Sequence, residues 1–88
     1  MDINDAIDRY FQYLMVEKGA TKDTITSYSY DLKQFFLAFP DKVDTNDILP
    51  SDISDFMKIQ NKKQLSTSTI LRRLSVTKNF YKFLQNFS

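Results

Sequence analysis

Apolar residues recur along this chain at helical spacing. Ile3, Ile7, Tyr10, Phe11 and Leu14 fall at i, i+4, i+7, i+8 and i+11, one stripe at 3.6 residues per turn. The stripe predicts a first helix from about Ile3 to Lys18, with Asp2 as its N-cap and Gly19 in the left-handed position that stops it. Thr21 is the next N-cap. Behind it Ile25, Tyr28, Leu32, Phe35, Phe36 and Phe39 form a second stripe, which ends where Pro40 cannot continue a helix. Asp41 to Leu49 reads as a polar connection anchored by Val43 and Ile48. Pro50 suits the first position of a short third helix with Ile53, Phe56 and Met57 facing inward and Asp52 at its positive dipole end. After a basic loop, Asn61 to Leu65, Ser66 or Thr67 caps a fourth helix that runs to about Asn86. Its stripe is Ile70, Leu74, Thr77, Tyr81 and Leu84, with Phe80 and Phe87 at one margin.

Four helices and a single glycine predict an all-α fold, a compact four-helix bundle. No repeat, low-complexity tract or internal boundary divides it, so residues 1–88 are expected to be one domain. A chain of this size buries roughly 60% of its unfolded surface, enough for a core without disulfides. Eight Phe and five Tyr help to fill that core.

Composition narrows the chemistry. With no Cys and no His, nearly every zinc site, haem site, thiol nucleophile and imidazole base is excluded. Neither a cofactor nor a metal is expected. Asp2, Asp5 and Asp8 within the first ten residues are unlike a signal peptide, and no apolar run approaches a membrane span. The chain therefore reads as soluble and cytoplasmic, with neither a membrane nor a small molecule as partner.

The net charge of +1 conceals a division after Asp55. Residues 1–55 hold all 11 acids and five bases, a net −6, whereas residues 56–88 hold seven bases and no acid, a net +7. Such asymmetry suits a face that binds a polyanion. Plotted at 100° per residue, the side of the fourth helix opposite its stripe collects Ser68, Arg72, Ser75, Asn79 and Lys82, flanked by Lys78. All of these donate hydrogen bonds and none is acidic, whereas an ordinary solvated helix mixes Glu with Lys. A helix of this length, about 30 Å, can cross a DNA groove and both its backbones. The second helix offers a weaker surface: Asp23, Ser27, Tyr30 and Gln34, bordered by Lys22, Thr24 and Thr26, where hydroxyls and a helix start can receive a phosphate. Arg73 falls beside the apolar stripe and is expected to pair with a carboxylate of another helix, Asp31, Glu17 or Asp55.

The acid pairs Asp2 with Asp5 and Asp52 with Asp55 suit helix starts better than a divalent ion. No nucleophile has an adjacent base, so the chain is not expected to be an enzyme.

Together, Glu17-Lys18-Gly19-Ala20-Thr21, Thr24-Ile25 with Tyr28 and Asp31-Leu32, Phe35-Phe36, Leu65-Ser66, Thr69-Ile70, Arg72-Arg73-Leu74-Ser75 and Phe80-Tyr81 with Phe83-Leu84 resemble the N-terminal core-binding domain of tyrosine recombinases, or phage integrases, of the Xer branch. The resemblance covers nearly the whole chain. It implies a SAM-like bundle forming half of a C-shaped clamp on double-stranded DNA at a recombination site, with the second and fourth helices against the major groove. It also implies that Thr24, Arg72 and Ser75 face DNA, that Tyr28 and Leu74 are core, and that Asp31 and Arg73 pair between helices. The chain departs from the family in two ways. Thr26, Ser29 and Tyr30 stand where arginines are usual in the second helix, and the C-terminal catalytic domain with its tyrosine nucleophile is missing. An excised domain or a truncated product is the expectation.

The expected function is DNA binding within recombination and integration, through Lys22, Thr24, Ser27, Ser68, Arg72, Ser75, Lys78, Asn79 and Lys82, with other recombinase subunits as further partners. The competing expectation is a helical protein-interaction module that associates through its acidic first and basic fourth helices.

Overall fold

The computed structural model describes residues 1–87, and they form the expected all-α bundle. Its helices are α1 (Ile3–Val16), α2 (Lys22–Leu37), α3 (Pro50–Lys62) and α4 (Thr67–Phe87), with a 3-10 turn at Thr45–Asp47. The margin position expected for the Phe87 side chain lies outside the described residues.

Local chemistry sets most boundaries. Asp2 accepts from the N–H groups of Asn4 and Asp5 at 3.0 and 3.3 Å, and Thr21 accepts from that of Thr24 at 3.2 Å. Ser66, of the two candidates, caps α4, accepting from Thr69 N–H at 3.3 Å. α1 stops at Val16, two residues short of expectation, and Gly19 at φ +61° turns the chain so that Ala20 N–H returns to the Leu14 carbonyl at 2.9 Å. α3 is longer than expected, because Asn61 and Lys62 stay helical and Gln64, at φ 58°, takes the left-handed position without being a glycine. An isolated antiparallel bridge between Asp2 and Asp44 ties the chain start to the α2–α3 connection. There the Asn46 N–H and the Met1 ammonium, 3.0 Å away, hold the Asp44 carboxyl below its ordinary pKa.

The core joins α1, α2 and α4 through Ala6, Tyr10, Leu32, Val76, Phe80 and Leu84. Phe80 sits within ring-contact distance of Tyr10 (5.5 Å), Phe36 (5.9 Å) and Tyr81 (5.3 Å), and Phe35 against Phe56 (5.0 Å) couples α3 to this centre. Val76 and Phe80, not Tyr81, lie at the middle of the buried face of α4. That face is rotated from the expected stripe toward Arg73, and Leu74 is only partly buried. The rotation decides where the polar residues of α4 point.

Candidate nucleic-acid interface

α4 presents a long outer face on which Ser68, Ser75, Lys78, Asn79 and Lys82 are all exposed. No acidic residue lies on this helix, so no side chain of its own competes for those cations. Ser68 is also part of the cap, its hydroxyl 3.3 Å from that of Ser66. On α2, Lys22 and Ser27 are exposed, while Thr24 is half-buried and accepts a hydrogen bond from the Thr21 hydroxyl at 2.9 Å. The small hydroxyl of Thr24 thus belongs first to the helix start.

Arg72, placed on the polar face by its spacing, keeps an exposed side chain, but its guanidinium is bound to Asp31 of α2, through Nε to Oδ2 at 2.9 Å and Nη2 to Oδ1 at 3.2 Å. The rotation of α4 is the cause: with Val76 and Phe80 innermost, Arg72 moves to the flank that borders α2. Its side chain keeps 50% exposure, and the carboxylate raises its pKa by hydrogen bonding and charge.

Arg73 pairs as expected, and of its three candidate partners the one it meets is Asp31. Nε donates to Oδ1 at 3.3 Å and Nη1 donates to the Gln60 side-chain oxygen. Tyr30, exposed on α2 as expected, puts its ring 5.5 Å from the Arg73 guanidinium carbon. Asp31 and Gln60 are buried, and among the described residues no buried side-chain nitrogen or oxygen lacks a hydrogen bond. One carboxylate thus serves two guanidiniums and leaves a surplus positive charge at the α2–α4 contact.

Farther along α4, Asn79 and Lys82 line a groove of about 410 Å³ with Lys18, Tyr28 and Asn86. Lys18 was expected at the end of the first helix; because α1 stops at Val16, its place beside α4 depends on the turn through Gly19, which a plot of helical faces does not show. The groove brings together lysines from two parts of the chain with amide and phenol groups, a donor-rich lining suited to an anionic strand.

One member of each acid pair serves a helix start: Asp2 as above, and Asp52 by accepting from Leu49 N–H at 2.8 Å. No cluster among the described residues has the composition of a metal site, and no helix there is long and apolar enough to cross a membrane.

The family model for the phage integrase N-terminal SAM-like domain matches residues 7–86. The chain belongs to this family. Its SAM-like relatives include the protein named tyrosine recombinase XerC of Rickettsia canadensis, 38% identical over 94% of this chain and 30% of the relative. The tyrosine recombinase XerC of Herpetosiphon aurantiacus is 33% identical over 90% of the chain and 26% of the relative. The tyrosine recombinase XerD of Oceanobacillus iheyensis is 34% identical over 90% and 28%. The SAM-like chain thus spans less than a third of the length of these relatives. No solved structure matches it significantly.

Proposed function

We propose that the chain is the DNA-binding N-terminal domain of a tyrosine recombinase and holds duplex DNA through α4, with the start of α2 as a secondary contact. The acid-free outer face of α4, in a chain of this family, is the observation that carries the reading. Lys78 and Lys82 neutralise phosphates, and Ser75 and Asn79 add neutral hydrogen bonds that fix register. Lys22, Thr24 and Ser27 at the start of α2 extend the contact along the strand, and Ser68 does so at the start of α4. In this reading strand cutting belongs to a part of the recombinase outside these 88 residues, and the domain contributes grip and alignment, including alignment with neighbouring recombinase subunits.

Titrating a fluorescently labelled duplex with the wild-type chain and with Lys78→Glu/Lys82→Glu, at several salt concentrations, tests this. About four phosphate contacts give a slope of log K against log salt near −3.6, and binding in the micromolar range or weaker at physiological salt. The double reversal is expected to abolish binding while the helical circular dichroism stays unchanged. Equal binding by both proteins would remove α4 from the interface. Self-association at low salt without DNA, lost on Asp5→Lys or Asp8→Lys, would favour the interaction-module reading instead.

A further inference from the structure

The cluster at the α2–α4 contact carries more than packing requires. Arg73, whose side chain is 8% exposed, needs a buried carboxylate, and Asp31 at 0% exposure supplies it. Arg72 has no such need. A half-exposed arginine is well solvated, and its surface ion pairs ordinarily contribute little. Yet the same carboxylate takes Arg72 by the Nε–Nη2 edge, at 2.9 and 3.2 Å. Asp31 is itself immobilised, because Arg73 holds its Oδ1 and is in turn held by Gln60 and the Tyr30 ring. The plane of the Arg72 guanidinium is therefore fixed relative to α4.

The geometry of the fork decides what remains. A guanidinium has five N–H donors, and the edge facing Asp31 uses those on Nε and one on Nη2. Both protons of Nη1 and the second of Nη2 have no partner among the described residues. One proton of each Nη forms the end-on edge, the one able to grip two oxygens of a phosphate at once.

We propose that Asp31 is a positioning residue that holds Arg72 with its end-on edge ready for a phosphate of the DNA backbone. The inference rests on the DNA-binding reading above and adds to it a buried acid that strengthens the binding of a polyanion. In the complex one guanidinium bridges the buried carboxylate and the phosphate, and its side chain is ordered before DNA arrives.

The test measures duplex affinity and its salt slope for wild type, Asp31→Asn, Arg72→Lys and Arg72→Gln, with a thermal melt of each. Asp31→Asn raises the net charge by one, so simple charge counting expects tighter binding. Positioning expects weaker binding, by about tenfold, with the slope unchanged. Because that substitution also strips Arg73 of its counter-charge, Arg72→Lys is the deciding variant. It keeps the charge and the Asp31–Arg73 pair but has no fork. It should melt like wild type and bind about tenfold more weakly at an unchanged slope, whereas Arg72→Gln should also lower the slope by about 0.9. Wild-type affinity in Arg72→Lys, or tighter binding by a folded Asp31→Asn, would overturn the proposal while leaving the DNA reading intact. Absence of salt-dependent binding by wild type would overturn both.

Discussion

The two halves of α4 handle positive charge in opposite ways. Near its start, Arg72 and Arg73 are both tied to Asp31, one half-exposed and one buried, and their charges are fixed in the α2–α4 contact. Near its end, Lys78 and Lys82 are exposed and make no ion pair among the described residues. Fixed charge orients a helix pair and any ligand that meets it. Free charge attracts a polyanion at little structural cost, since each side chain keeps its rotamers and its water until contact. Under the proposed function Arg73 serves the fold and Lys78 and Lys82 serve DNA, with Arg72 between them, so substitutions at Arg73 and at the lysines should fail in different assays.

The largest expected effect comes from emptying the fixed half. Asp31→Ala leaves the buried Arg73 guanidinium without a counter-charge, and breaking a buried pair in this way costs about 3–5 kcal/mol. Urea denaturation should show that loss. The same measurement on Lys78→Ala or Lys82→Ala should move by no more than about 0.5 kcal/mol. Equal losses in both halves would erase the comparison.

Binding should reverse the order. Lys78→Ala/Lys82→Ala leaves the unfolding midpoint nearly in place but removes two phosphate contacts without adding repulsion, so the magnitude of the salt slope should fall by about 1.8. Fluorescence anisotropy at three salt concentrations reads it directly.

How much of this contrast the sequence carries differs between its parts. Helix positions follow from the apolar stripes, and their ends from caps that act within a few residues: Asp2, Thr21, Ser66 and the lone Gly19. Interactions that short leave their mark in the chain itself. The end of α3 carries no such mark, since Gln64 does a glycine's task there. The rotation of α4 was hidden because a plot of apolarity puts Tyr81 in the stripe and leaves Arg73 beside it. In the bundle, Arg73 is buried by its partners, whereas Tyr81 sits at the edge, its hydroxyl donating to the Thr45 carbonyl at 3.3 Å. The sharing of Asp31 was out of reach for the same reason: two adjacent arginines differ by 100° on a helix, and only the packed face decides whether both reach one acid. The exposed lysines, which depend on no partner, were the part of the candidate surface that spacing alone could place.

Alkaline pH separates the halves by chemistry. Arg72 stays charged throughout, because Asp31 raises its pKa further. Beneath the free half, burial is the main cause that pushes the Tyr10 phenol up from 10.0 to about 12, and it pushes that of Tyr81 higher still. A folded-state pKa above the unfolded one means that this contribution is intact below pH 10 and is lost as pH rises through the folded values. Thermal melts should be flat to about pH 10 and then decline, with Tyr10 alone accounting for roughly 1 kcal/mol by pH 11. Tyr10→Phe, which removes the titrating group and keeps the ring, should flatten that decline.

The smallest effect tests the hinge that leads into the fixed half. Gln64, between α3 and α4, holds φ 58°, a region unfavourable to a side chain with a Cβ. The corresponding turn after α1 gives that conformation to Gly19. Gln64→Gly relieves the strain, and the greater freedom of glycine in the unfolded chain offsets part of the gain, leaving about 0.5–1 kcal/mol. Denaturation should show this increase while the salt slope of DNA binding stays constant, since no phosphate contact is altered. A change in affinity with Gln64→Gly would mean that the turn sets the angle at which Arg72 meets DNA, and that the fixed half extends back into the end of α3.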